Sequence, residues 1–94
     1  MSVPSILLVL RRLRPDIMRI AAKYGIFHIQ VYGEVAGNEA LPGANVGLLV
    51  QMEPGRGAFD LVGFAQEVQS LSGFVVAAVT ELPEDGAAHD VLDL

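Results

Sequence analysis

The sequence predicts an α/β (α+β) domain in which a small mixed β-sheet is flanked by helices. Residues 27–32 alternate apolar and other side chains with the period of a strand. Residues 46–50 form a short apolar run that suggests a central strand, and residues 58–72 repeat apolar side chains at helical spacing. Since the chain has 94 residues, near the lower limit for a single core, we expect one domain over residues 1–94.

The N-terminal quarter predicts two helices. Residues 3–13 form the first, with Pro4 near its start. Pro15 followed by Asp16 marks the start of the second, because Pro is favoured at the first helical position and an acidic residue is favoured in the first turn. Apolar positions then recur at helical spacing as far as Gly25, which supplies the stop.

Two strands follow these helices. Residues 27–32 are expected to form a half-buried strand and residues 45–51 a second, central one. The Gly-rich segment between them has room for a short helix. Residues 54–57, Pro-Gly-Arg-Gly, predict a turn.

The C-terminal part predicts a helix and a third strand. The helix covers residues 58–72 and is closed by Gly73, and the strand covers residues 74–80. Residues 83–86 predict a turn or loop, and the last eight residues are expected to form one weak helical turn.

Composition and charge exclude several classes of protein. The net charge of −5 disfavours nucleic acid, since binding a phosphate backbone needs clustered Lys and Arg. Five of the six basic residues lie between residues 11 and 23, where a solvated helix face is the simpler interpretation and contact with an acidic partner the alternative. The absence of Cys excludes disulfides, thiolate zinc sites and cysteine nucleophiles.

The apolar residues indicate association with protein and not with a membrane. No apolar run approaches the roughly 18–20 residues that span a bilayer, and residues 6–10 are too short for a signal peptide. We therefore expect a cytoplasmic protein. An apolar fraction of 52% in a small domain favours burial against a protein partner or a second copy of the chain.

The segment from Val31 to Val50 carries the most specific pattern of the chain. It reads as a strand, then Gly33-Glu34, about ten residues of turn and helix, then Asn45-Val46-Gly47 and an apolar Leu-Leu-Val. In this spacing it resembles the signature of the minimal nucleotidyltransferases, small members of the DNA polymerase β superfamily. The resemblance covers roughly residues 13–80 and implies a nucleotidyltransferase-like fold.

The resemblance also implies where the family's chemistry would lie. In the family, a Gly-Ser turn binds the triphosphate through backbone N–H groups, and three carboxylates on two strands hold two Mg²⁺ ions. Here Gly33 is retained, but Glu34 stands at the Ser position, Asn45 and Gly47 stand at the first two Asp positions, and Ala77 stands at the third. We therefore expect a degenerate nucleotide site with no catalytic residue, no metal ligand and no cofactor.

Other ionisable side chains are candidate substitutes for the missing ligands. Glu34, Glu39 and Asp60 are candidate relocated metal ligands, but acids in turns and first helical turns need no such role. His28 and His89 have no Ser, Cys or second His at useful spacing, so ordinary exposed positions are the simpler interpretation. The two glycines of residues 55–57 are too closely spaced for a phosphate loop.

Three functions remain open at this point. The first is a non-catalytic protein that acts by binding; the resemblance implies a HEPN-like protein as its partner, with this chain as the antitoxin of a toxin–antitoxin couple. The alternative is an active nucleotidyltransferase that transfers AMP from ATP through an unorthodox or partner-completed metal site, and Mg and ATP are expected only in that case. The third is a plain α/β scaffold whose site residues were replaced by drift or by engineering.

Overall fold

The computed structural model describes residues 5–36, 45–83 and 90–94 of the chain. This part of the chain contains three helices and four strands. They are α1 (Ile6–Arg12), α2 (Arg14–Lys23), β1 (Ile26–Tyr32), β2 (Val46–Met52), α3 (Ala58–Ser72), β3 (Val76–Val79) and β4 (Val91–Asp93). The predicted short helix in the Gly-rich segment falls largely in residues 37–44, outside the described residues.

Local signals set the ends of the helices. The Ser5 side chain accepts a hydrogen bond from the Leu8 N–H at 3.1 Å, which caps α1. Gly25, with φ +72°, follows the end of α2, and Gly73, with φ +80°, ends α3, as the sequence predicts. Both glycines adopt a left-handed conformation that other residues rarely take.

The strands form one mixed sheet in the order β3-β2-β1-β4. β1 pairs antiparallel with β2 and with β4, whereas β2 and β3 are parallel. The prediction that the second strand is central is confirmed, since β2 lies between two others. The third strand is shorter than predicted, since β3 covers Val76–Val79 and not the expected residues 74–80.

The core lies on one face of this sheet, under α2 and α3. Ile29 and Val31 of β1 and Leu48 of β2 are at most 3% exposed and pack with Phe64 and Val68 of α3, which are fully buried. Burying a side chain such as Phe64 contributes about 1.5–3 kcal/mol. All helices of the described residues therefore flank one side, and the other side of the sheet carries the site positions.

Phe27 departs from the alternation that the sequence predicts. The alternation of residues 27–32 predicts that it lies on the same side as Ile29 and Val31, but its side chain is 57% exposed. A β-bulge between Ile26 and His28 is the reason, since an extra residue in one strand changes which face the following side chains occupy.

The prediction of a weak helical turn in the last eight residues is wrong. Val91–Asp93 form β4, and the Leu94 N–H continues the pairing by donating to the Ile29 carbonyl at 3.2 Å. The unpaired edge of β1 explains this outcome, because its backbone groups gain partners from an added strand. Arg14 of α2 stabilises the arrangement through an N–H donated to the Leu94 carbonyl at 3.0 Å.

Within the described residues, no helix is both long enough and apolar enough to span a membrane.

Candidate functional site

The strand positions of the site lie side by side on the face of the sheet that points away from the helices. Gly47 of β2 is in register with Tyr32 of β1 and with Ala77 of β3. Their chain neighbours Val31 and Val76 point into the core, and side chains alternate along a strand. The structure therefore brings together two of the three positions at which the family has metal-binding carboxylates.

The remaining site positions border this group. Asn45 directly precedes β2 and is exposed. Gly33 follows β1 with φ +81°, a value that suits glycine, so the tight turn after the strand is retained. Glu34 lies in the same turn and is exposed.

The ring of Tyr32 occupies the space above Gly47. A Cβ atom placed on Gly47 would lie 2.6 Å from Cζ and 2.7 Å from Cε1 of Tyr32. Such distances are far below the roughly 3.5–4.0 Å of a favourable carbon–carbon contact. A side chain at position 47, including the aspartate of the family pattern, therefore requires the ring to move.

The backbone of the Gly33 turn is already used within the chain. The Gly33 N–H donates to the Asp90 carbonyl at 3.0 Å, just before β4 begins. In the family pattern, N–H groups of this turn bind triphosphate. Here one of them is satisfied internally, and the exposed acids Glu34 and Asp90 flank it.

These residues do not fit the two Mg²⁺ ions that the family implies. Mg²⁺ prefers anionic oxygen ligands in octahedral geometry. Gly47 offers none and is covered by the Tyr32 ring, Ala77 offers a methyl group, and Asn45 offers a single neutral amide. Across residues 5–36, 45–83 and 90–94, no group of three or more His, Asp or Glu side chains is placed to hold a metal ion.

The other candidate residues have structural roles or lie outside the described residues. Asp60 accepts the Gly57 N–H at 3.1 Å and pairs with Arg56 at 3.3 Å, so it caps the start of α3. His28 lies 3.3 Å from the Asp93 carboxylate, on the partly exposed pairing of β1 with β4. Glu39 and His89 fall in the parts of the chain that the structure leaves undescribed.

The cluster with shifted pKa values lies away from the site, where α2 meets α3. Lys23 Nζ donates to Glu67 at 2.6 Å, and the Tyr24 hydroxyl donates to the other Glu67 oxygen. These two hydrogen bonds lower the pKa of Glu67, and the bond to Glu67 raises the pKa of both Lys23 and Tyr24. The cluster joins two helices and has no connection to the Gly47 face.

Sequence reasoning missed the two contacts that define the site. The sequence pattern places Tyr32 at the end of a strand and predicts no contact for its ring, although a glycine inside a strand often marks the close approach of another group. Gly47 was that signal. The contact of Asp90 with Gly33 had no local signal, because it depends on β4, which forms by pairing with a strand about 60 residues earlier.

Comparison with known proteins supports the origin of this arrangement. Neither a family model nor a protein of curated function matches the sequence. A solved structure described as "putative minimal nucleotidyltransferase" is 32% identical, with a TM-score of 0.70, over 87% of this chain and 81% of its own. The three helices and four-stranded mixed sheet thus form a nucleotidyltransferase-like fold, and the chain belongs to the minimal nucleotidyltransferase family.

Proposed function

We propose that this chain is a catalytically degenerate member of its family that acts by binding a protein, as the antitoxin-type partner of a HEPN-like protein. The observation that carries the proposed loss of catalysis is the packing of Tyr32 against Gly47, beside Ala77. Of the two neighbouring positions that would supply metal ligands, Gly47 has no side chain and is covered by the Tyr32 ring, and Ala77 has only a methyl group. We further propose that the protein acts in the cytoplasm.

The turn that would bind phosphate also supports the proposal. Glu34 is an exposed anion next to Gly33, and two unit charges about 4 Å apart repel by about 4 kcal/mol at an effective dielectric constant of about 20. The Gly33 N–H is donated to Asp90. A bound triphosphate would therefore have to break the hydrogen bond between Gly33 and Asp90 and would be repelled by the Glu34 carboxylate.

The distribution of charge supports a basic protein as the partner. In the described part of the chain, four acidic residues lie at strand ends and take part in none of its four ion pairs: Glu34, Glu53, Glu81 and Asp90. Arg19, Lys23 and Arg56, by contrast, are paired with acids of the helices. An excess of acids around the sheet attracts a basic surface and repels nucleic acid.

Nucleotide binding and transfer separate this proposal from an active enzyme. Calorimetry with MgATP, with Mg²⁺ alone and with ATP alone is expected to show no heat of binding. Incubation with α-labelled ATP, in the presence and absence of an extract of the source cell, is expected to leave all protein unlabelled. Transfer of label to any protein in the extract by this chain would establish the enzymatic alternative.

Identification of the bound protein tests the proposed partner. A neighbouring gene that encodes a small helical HEPN-like protein, together with recovery of that protein in stoichiometric amount from the source cell, is the expected result. Because the proposed partner is basic, reversing Glu34 and Asp90 to Lys should weaken the complex more than reversing Asp16, which is paired within α2. Equal loss from both changes would contradict the role given to the acids around the sheet.

A further inference from the structure

One side of α3 carries an exposed stripe without charge. Phe59, Val62, Gln66 and Gln69 follow one another at spacings of three, four and three residues, which places them along one line of the helix. Phe59 is 95% exposed and Val62 is 53% exposed. This spacing is that of a seam between two packed helices.

Within the described part of the chain, the adjacent strand β3 is one of the two outer strands of the sheet. The Val46 N–H donates to the Val75 carbonyl at 2.8 Å, so Val75 and Ala77 direct their backbone groups toward β2. Val76 and Ala78 then direct theirs outward, and Gln69 accepts the Val76 N–H at 3.1 Å. The edge at Ala78 has neither the Lys nor the Pro that commonly protects outer strands.

A groove of about 290 Å³ joins the stripe to this edge. Among the described residues, its lining, which includes Leu61, Ala65 and Ala78, contains no ionisable side chain. Two other grooves of the described residues differ in this respect, since one contains Arg14 and the other contains Arg19. The α3–β3 side is therefore an apolar, neutral surface on a chain with a net charge of −5.

We propose that the α3–β3 side binds a second copy of this chain. Antiparallel pairing of two β3 strands across a twofold axis perpendicular to the sheet joins the two sheets into one of eight strands. The same axis sets the two α3 helices antiparallel on one face, with their neutral stripes in contact. The inference does not depend on the proposed function and holds for an active or an inactive member of the family.

Charge and area favour a copy over a different partner. A twofold axis places a surface patch against the same patch of the partner copy, so a patch of one charge would repel itself. The described residues that line this groove carry no ionisable side chain. A stable interface buries about 800 Å² per partner. That is roughly one seventh of the solvent-accessible surface of this chain, which is 5858 Å². The helix α3 has 15 residues and is about 22 Å long, so together with the edge strand it can supply this area.

Sedimentation equilibrium of the purified chain tests the inference with matched variants. Wild type is expected at twice the chain mass of 10.0 kDa, and Val62→Glu at the chain mass. Ala78→Pro removes the outward N–H that would pair with the second β3 strand, so this variant should also be a monomer. Phe27→Glu is the control, because Phe27 is as exposed as Val62, at 57%, but lies on β1, so this variant should remain a dimer.

Each outcome bears on the inference. Circular dichroism should show that the variants remain folded, which Val62→Glu allows because the side chain points to solvent in the monomer. A wild type that stays at the chain mass up to about 1 mM overturns the inference. So does a Val62→Glu variant that remains dimeric, or dissociation caused by Phe27→Glu alone.

Discussion

Replacement of Gly47 by Ala tests whether the Tyr32 ring fills the position of the second family carboxylate. The new Cβ atom would lie 2.6 Å from Cζ of Tyr32, so the ring must move by about 1 Å to restore a normal contact. Overpacking of this kind costs about 1–3 kcal/mol. Exchange of Gly for Ala within a strand otherwise stabilises by about 0.5–1 kcal/mol.

These two effects have opposite signs and can be separated by a double-mutant cycle. In wild type, Gly47→Ala should change the free energy of unfolding by about 0–2.5 kcal/mol in the destabilising direction. In a Tyr32→Ala background the same change should stabilise by about 0.5–1 kcal/mol, because the obstacle is gone. The coupling free energy is then about 1–3 kcal/mol, measured by urea unfolding of the four proteins.

A second glycine supplies the control. Gly63 of α3 meets the ring of Tyr24, where an added Cβ would lie 2.6 Å from Cε1. Tyr32→Ala should therefore leave the effect of Gly63→Ala unchanged, although the distances in the two pairs are alike. A coupling below about 0.5 kcal/mol between Gly47→Ala and Tyr32→Ala would refute the reasoning, since distant, independent sites add within that limit.

Two further predictions concern the metal site and the dependence of stability on pH. The four positions at which the family has Ser or Asp can be restored together as Glu34→Ser, Asn45→Asp, Gly47→Asp and Ala77→Asp. Calorimetry with MgCl₂ should show tighter binding when Tyr32→Ala is added to these four, and no binding to either folded variant would contradict the alignment. Glu67 has a lowered pKa in the folded state, so its contribution to stability is present above its ordinary value of 4.5 and is lost as pH falls through the lower, folded value. Urea midpoints of wild type and Glu67→Gln should therefore differ at pH 7 and converge as the pH falls below 4.5 and through the lowered pKa of Glu67, and a constant difference would contradict the assigned hydrogen bonds.

Elements with strong local signals could be predicted from the sequence. α3 begins and ends where the pattern places it, since Gly57 and Gly73 interrupt the helical period on either side. The alternation of β1 and the apolar run of β2 were enough to predict a mixed sheet with a central second strand. Each of these depends on neighbours within a few residues.

The parts that could not be predicted depend on contacts between distant residues. β4 has three residues and no period of its own, and it exists because the edge of β1 and the side chain of Arg14 hold it. The bulge before His28 results from the pairing with β2. At the site, the sequence showed which ligands are absent, but only the register of β1 and β2 shows that Tyr32 fills one of the gaps.

The short β4 strand also divides the molecule into parts of unequal local stability. A strand of three residues at the edge of a sheet can detach while the core under α2 and α3 remains packed. Amide hydrogen exchange of the Gly33 and Leu94 N–H groups, which bond to Asp90 and Ile29, then reports this local opening and not global unfolding. Each opening exposes the Gly33 N–H to solvent, so this backbone donor of the turn is covered by a local equilibrium and not by permanent packing.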